Sequence, residues 1–454
     1  MPTTPTPTSA LPDKREALNI IHSLGTSGQP PKLGALHLNV GTGPILRRFR
    51  EEYLEGLCAS ADGLDGQGIC KWVEGDYGNG KTQFLRCFQE IAWELNYVTA
   101  FVELSQDECP LDRPDRVYGA VARAVQARPM NAGDVDRSKG LDVALAQLLD
   151  RKFPQVLTGV PDEGMKTEAV RWVETELKNL AVESTALRSA AVIHLLARLN
   201  SDEEKTNLSG LYLRGEPVPP AELKKLGIYE KIDKANGFRV LRSMCQLLQR
   251  SGLAAGTVLL FDEARRTLSL MSAKGQKVAC ENLLSVINRC NQGELPGTVF
   301  LYAVMPEFFT NFAVQYPALL QRCGPSTRIP LNTIEGIKES DLLLKIGRRI
   351  AQIFGAAYDF AFEDNAALFK DVAAQCEDGA ALERSLKQLA TAAIQETMGT
   401  GTRRLFVKSC VQMFKNAREN GFAEIDAAAA ERLLAGVSDE LRGADAADTE
   451  NAGE

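Results

Sequence analysis

The sequence predicts an α/β fold, with a parallel-sheet core, a helical insertion inside it and a C-terminal helical lid. Three observations predict it. A glycine-rich stretch, "WVEGDYGNGKTQFL" (Trp72 to Leu85), lies between an apolar run and an amphipathic one. "TVLLFDEA" is apolar from Thr257 to Phe261 and then turns acidic, the pattern of a parallel strand buried on both faces. From Ser340 onward the apolar residues recur at helical spacing.

The glycine-rich stretch carries the most chemistry. Gly75, Gly80, Lys81 and Thr82 fit G-x-x-x-x-G-K-T, with Gly78 inside it, the pattern of a P-loop NTPase. Glycines let the backbone curl so that successive N–H groups point at phosphate oxygens. "GICKWVEG" before the loop reads as a strand. "KTQFLRCFQEIAWEL" after it places Phe84, Leu85, Phe88, Ile91, Ala92 and Leu95 on one helical face. The positive end of that helix dipole then faces the phosphates. The expected ATP contacts are Gly75, Asp76, Tyr77, Gly78, Asn79, Gly80, Lys81, Thr82 and Gln83. Lys81 would neutralise the β- and γ-phosphates, and the Thr82 hydroxyl would ligate Mg²⁺.

The acidic strand end supplies the partner residues. Asp262 would hold Mg²⁺, and Glu263 would orient and polarise the attacking water. Ligands of open α/β sheets bind at such carboxyl ends.

The other elements follow in order. "GPILRRFREEYLEGL" is the clearest N-terminal helix, and "HLNVGTG" before it could fold over an adenine base. "NYVTAFVELS" (Asn96 to Ser105) alternates as a second strand, and "PDRVYGAVARAVQ" follows as a helix. The interval from Lys81 to Asp262 far exceeds the about 60 residues that two βαβ units need. Its amphipathic segments, such as "ALRSAAVIHLLARLNSDEE", make it a helical insertion. His194 there reads as a core or rim residue. "GTVFLYAV" (Gly297 to Val304) and "TRIPL" are the later strands. The expected division is a disordered lead-in (1–14), N-terminal helices and the first half of the core (15–130), the insertion (131–250), the second half of the core (251–335), the lid (336–437) and a disordered acidic tail (438–454).

Composition narrows the function classes. The 454 residues carry a net charge of −7, which argues against a DNA-coating role for the isolated chain. Only three histidines are present, and the ten cysteines form no C-x-x-C pair. Zinc and histidine chemistry therefore have little material, and the thiols read as reduced and buried in a cytoplasmic protein. No apolar stretch approaches the about 20 residues of a membrane span. The Pro/Thr-rich start has no basic or apolar region of a secretory signal.

Taken together, the loop "GDYGNGKTQFLR", the strand "VLLFDEA", the turn "VMPEFF" and the helical lid resemble AAA+-type ATPases near the origin-recognition branch. More specifically, "GDYGNGKT", the joint "LYLRGE…LGIYEKIDKANG" and the lid segment "GTRRLF" resemble the ATP-binding proteins of bacterial BREX phage-defence systems, BrxD-like members in particular. The resemblance spans about Leu33 to Ala417. It implies an ATPase that uses ATP and Mg²⁺ among other BREX defence proteins, with DNA reached indirectly through the assembly. It also implies two arginine roles. Arg322, with Arg328 second, would reach a neighbouring subunit's ATP in a homo-oligomer. Arg404, with Arg403 beside it, would sense the γ-phosphate from the lid of its own subunit. Arginine suits both tasks through its permanent charge and planar fork.

The sequence departs from that pattern at two places. Ala303, Val304 and Met305 stand where a polar residue usually positions water, and Arg265 and Arg266 follow "DEA" directly. Both departures point to slow turnover. Two alternatives to a fast ATPase stay open: a nucleotide-dependent scaffold with little hydrolysis, and a DNA-directed helicase-loader or transposition-type ATPase. No second substrate pocket for a kinase is legible.

Overall fold

The computed structural model describes residues 10–60, 65–129, 134–158, 162–263, 271–334, 336–360, 381–397 and 401–450. The chain divides into two compact units. One comprises Arg48–Val73 and Ile91–Ile329; the other comprises Met1–Arg47, Glu74–Glu90 and Pro330–Glu454. They are called here the sheet unit and the lid unit.

The sheet unit is built on six strands: β1 (Ile69–Glu74), β2 (Tyr97–Glu103), β3 (Val125–Gln126), β4 (Gly256–Asp262), β5 (Thr298–Val304) and β6 (Arg328–Pro330). Their order in the sheet is β3-β2-β4-β5-β1-β6. β2 pairs parallel with β4 from Tyr97↔Gly256 to Glu103↔Asp262, and β4 pairs parallel with β5 from Thr257↔Thr298 to Asp262↔Ala303. Every residue of β4 and β5 is buried. That is why both read as unbroken apolar runs, since a parallel strand covered on both faces has no solvent side to make polar. Gly256 opens β4 because a Cβ there would lie 2.1 Å from the Gly297 carbonyl oxygen.

Five of the six strands lie where the sequence placed them. β3 does not, because "AVQ" reads as the end of the helix Pro114–Ala124. The chain turns extended at Val125 and pairs antiparallel with β2 through Thr99↔Gln126. Two residues are too few to show an alternation, and the pairing is decided by the neighbouring strand.

Aromatic rings centre the core of this unit. Trp72 stacks on Tyr302 at 5.1 Å and on Phe308 at 4.8 Å, and Tyr302 stacks on Phe261 at 4.7 Å. Such pairs add about 0.5–1.5 kcal/mol each beyond the area they bury. The insertion is helical as expected, with helices Leu141–Lys152, Glu163–Trp172, Thr185–Leu199, Glu203–Leu213 and Gly237–Arg250. Ser184 and Asp202 cap two of them through the amides of Leu187 and Lys205. His194 is a core residue, 1% exposed, with Nδ1 3.2 Å from the Thr206 carbonyl oxygen. Burial holds its pKa below the usual histidine value.

The expected helices that lie within the described residues are present, with local changes of form. "GPILRRFREEYLEGL" starts as an α-helix at Gly43–Arg48 and continues as a π-helix over Phe49–Leu57. Segments Val173–Leu177 and Phe308–Phe312 are also π-helical. A side-chain pattern read at 3.6 residues per turn does not separate the two forms.

The lid unit packs the helices Lys14–Ser27, Glu339–Tyr358, Ala381–Thr397, Thr402–Asn420 and Ala427–Glu450. Ile20, Ile21, Phe354, Leu386, Phe406 and Phe414 are among the residues of their common core. The N-terminal helix thus shares its apolar face with the C-terminal helices. The last helix runs to Glu450, into the acidic stretch from 438 that read as a tail. Residues 1–9 of the lead-in, the "NAALFKDVAAQC" segment, and Arg265 and Arg266 lie outside the described residues. No helix among the described residues is long and apolar enough to cross a membrane. The nine described cysteines are all free, and eight of them are buried.

Candidate functional site

β1 ends at Glu74, and the chain enters the loop at Gly75. The helix Lys81–Glu94 begins beyond it, with the Phe84 amide donating to the Gly80 carbonyl at 2.9 Å. Gly78 and Gly80 have φ of 77° and 88°, the left-handed region that a side chain rarely adopts. A Cβ on Gly78 would also lie 2.5 Å from the Gly401 Cα. Within the loop the Asn79 amide donates to the Asp76 carbonyl at 3.2 Å. Lys81 is 7% exposed, and its Nζ donates to the carbonyls of Gly75 (2.7 Å) and Asp76 (3.0 Å). The strand–loop–helix context that the pattern requires is therefore present.

The loop is held from outside by residues far along the chain, all in the lid unit. Asn332 Oδ1 accepts from the Asp76 amide and from Asn79 Nδ2, and Asn332 Nδ2 donates to Asp76 Oδ2, each at 2.8 Å. The Leu331 amide donates to the Glu74 carbonyl at 2.8 Å. Gly401 donates its amide to the Tyr77 carbonyl at 2.8 Å. Sequence reasoning missed Asn332. A lone asparagine in "PLNTI" carries no local signal, because its partners are more than 250 positions away.

The two lid arginines part company. Arg403 is 8% exposed and donates to the carbonyls of Asn79 (2.6 Å) and Leu331 (3.1 Å). It also forms a forked ion pair with Glu339 at 2.9 and 2.8 Å. Arg404, named first on the sequence, donates to the Ser27 carbonyl at 3.1 Å and to the Tyr77 hydroxyl. Consecutive residues of a helix point about 100° apart, so one arginine reaches the loop backbone and the other the Tyr77 side chain.

The "HLNVGTG" neighbourhood is fastened to the loop's own helix. Glu90 accepts from the amides of Ala35 (2.7 Å) and Leu36 (3.2 Å). The Ala35 carbonyl in turn accepts from Gln83 Nε2 at 2.7 Å and from the Cys87 thiol at 3.4 Å. Gln83, Cys87 and Glu90 fall at i, i+4 and i+7, one face of the helix. Burial pushes the Glu90 carboxyl up to about 7, and its two backbone donors pull it back only in part.

The remaining candidates belong to the sheet unit. Asp262 and Glu263 end β4 and are 5% and 6% exposed. The Glu263 amide donates to the Ala303 carbonyl at 3.0 Å, and the Asp262 carbonyl accepts from the Leu104 amide at 2.9 Å. β5, which ends in the apolar Ala303 and Val304, is the strand between β4 and β1. Arg328 stacks over Phe309 with 3.6 Å to the ring centroid and donates to the Cys323 carbonyl at 2.7 Å. Arg322 closes the helix Pro317–Arg322, is exposed, and forms no ion pair with any described residue. Of the two, Arg322 is the one whose guanidinium is left available. No group of three or more His, Cys, Asp or Glu side chains among the described residues could hold a metal ion.

Asn332→Ala is expected to weaken nucleotide binding by up to about a hundredfold. It removes three hydrogen bonds that set the loop, each worth about 1 kcal/mol net. Calorimetric titration of both chains measures this. Equal affinities would mean that the loop keeps its shape without Asn332.

Comparison with known proteins gives one match. The family described as BREX system ATP-binding protein BrxC/D matches residues 13–420. No curated protein and no solved structure matches the chain. A match over most of the chain, running from the N-terminal helix through the loop and into the lid, establishes that the protein belongs to the BREX system ATP-binding protein BrxC/D family.

Proposed function

We propose that the protein is a P-loop NTPase of the AAA+ type that hydrolyses ATP within a BREX defence assembly. The observation that carries this reading is the loop itself. Two glycines at positive φ, a helix N-terminus, a buried ammonium and a hydroxyl form a donor set for a polyphosphate. The one carboxylate in the loop, Asp76, accepts a hydrogen bond from Asn332, and the Lys81 ammonium supplies a positive charge in the same loop. The residues present therefore fit ATP.

In this reading Lys81 exchanges its two carbonyl partners for phosphate oxygens, and the loop amides from Gly78 to Thr82 bind the same group. Thr82 and Asp262 hold Mg²⁺, which neutralises phosphate charge when bound. Glu263 accepts the proton of the attacking water and aims it. Gln83 and Tyr77 border the loop. Arg322 serves a neighbouring copy's site in a homo-oligomer. Arg403 and Arg404 report on the γ-phosphate from the lid. The division into core (15–130 and 251–335), insertion (131–250) and lid (336–437) belongs to the same proposal, as do a cytoplasmic location and access to DNA through other BREX proteins.

A second reading, an ATP-dependent scaffold that barely turns over, is favoured by one feature. The β5 end beside Glu263 offers only Ala303, Val304 and Met305 for placing water. Lys81→Ala should abolish ATP binding, while Glu263→Gln should keep ATP bound and lower phosphate release by a hundredfold or more. Labelled-ATP binding and steady-state phosphate release check both. Wild-type binding by the lysine variant would sink the loop assignment. Wild-type release by the glutamine variant would remove Glu263 from its role, and absent release in the unsubstituted chain would establish the scaffold.

The trans role of Arg322 is separable. Arg322→Ala should leave ATP affinity intact and cut turnover, since an arginine supplied from a neighbour is worth about 10³-fold or more. Mixing these subunits with Lys81→Ala subunits should restore part of the rate. Co-assembled mixtures that remain inactive would exclude the shared site.

A further inference from the structure

The joint "VPPAELKKLGIYEKIDKANG" in the helical insertion presents a side chain that the nucleotide reading does not use. Tyr229 is 82% exposed, far above any other large hydrophobic side chain among the described residues. The loop that carries it is firmly held. Ile228 before it is 1% exposed, with its amide donating to the Leu223 carbonyl at 2.9 Å. The Glu230 carbonyl after it accepts from the Tyr212 hydroxyl at 3.0 Å. The Lys231 carbonyl accepts from Asn236 Nδ2 at 2.8 Å. The backbone on both sides of the ring is thus held in place, so a partner need not order the loop itself.

The segment carries more cations than carboxylates. Lys224, Lys225, Lys231 and Lys234 are all exposed. Glu222 binds Lys225 at 2.9 Å, Glu230 takes Asn236 Nδ2 at 2.9 Å and pairs with Arg239, and Asp233 accepts from the amides of Ala235 (2.8 Å) and Asn236 (3.2 Å). Lys224, Lys231 and Lys234 form no ion pair with any described residue. In a chain of net charge −7, the stretch 222–239 holds five basic side chains against three carboxylates, with one exposed aromatic ring among them.

We propose that this loop is a contact for single-stranded nucleic acid, with Tyr229 stacking on an unpaired base and Lys224, Lys231 and Lys234 meeting the flanking phosphates. Stacking on an aromatic side chain is tolerant of sequence because every base has a π-face, and lysines track the backbone. A protein partner fits less well. Such interfaces centre on an apolar patch of roughly 800 Å² per side, and the neighbours of Tyr229 are exposed lysines, an aspartate and a glycine. The proposal is independent of the nucleotide site.

The test uses the full chain without ATP and fluorescein-labelled oligothymidine of about 20 nucleotides, long enough for one binding site, read by anisotropy at several salt concentrations. Binding should weaken linearly in log salt. Tyr229→Ala should weaken it about tenfold and Tyr229→Phe should not. The Lys231→Ala/Lys234→Ala double variant should weaken it and flatten the salt slope by about one to two. All three positions are exposed, and unchanged thermal melting confirms intact folding. Unlabelled single strands, whether thymidine or uridine, should compete better than a duplex of equal length. Polyglutamate should compete poorly. Absent binding, equal affinity of the Tyr229→Ala chain, or equal competition by duplex or polyglutamate would each overturn the proposal. Because ATP is left out, such a failure leaves the ATPase reading untouched.

Discussion

The guanidinium of Arg403 is the point on which the Gly75–Gly80 loop depends. It is buried, it is forked onto Glu339, and two more of its N–H groups donate to the carbonyls of Asn79 and Leu331. A buried cation must satisfy its donors or pay for desolvation, and here satisfaction requires the loop and the 331–332 segment to lie where they do. Glu339 is about a third exposed, so the pair gains less than a fully buried one. Hydrogen bonds to a charged group, at about 1.5–3 kcal/mol each before that discount, still make it the strongest single tie on the loop.

The other ties work in the same direction. Asn332 closes a three-bond ring with Asp76 and Asn79, and Gly401 fills the space that any side chain on Gly78 would need. Left-handed glycines and unpaired amides are costly to arrange when a ligand arrives, and these contacts arrange them beforehand. On the other side of the same helix, Gln83, Cys87 and Glu90 fix the segment around Ala35. A single helix thus organises both the loop Gly75–Gly80 and the segment around Ala35.

Much of this was legible in the sequence, and the reasons are physical. β4 and β5 showed themselves through apolar runs, because strands buried on both faces have no polar side, and β2 through its alternation. The strand–loop–helix around Gly75–Thr82 was legible because glycines that close together break the strand and open a tight turn. What escaped depended on distant partners. β3 is extended only because β2 offers it an edge. Asn332 matters only through residues more than 250 positions upstream. The different duties of Arg403 and Arg404 follow from helix rotation, which places one against backbone carbonyls and the other against Tyr77, and adjacent arginines in a sequence look alike. The exposure of Tyr229 beside the buried Ile228 is likewise set by the fold of its loop, and composition does not reveal it.

Asn332, Gly401 and Arg403 hold the Gly75–Gly80 loop in its observed shape. Residue-resolved hydrogen exchange on the nucleotide-free chain tests it most directly, since it reads the protection of individual amides. The account expects the amides of Asp76 and Asn79 to be protected in the free chain, and Arg403→Ala to speed their exchange about tenfold or more while the β4 and β5 amides stay unchanged. Loop amides that exchange at unprotected rates until ATP is added, with no response to the Arg403 substitution, would contradict it.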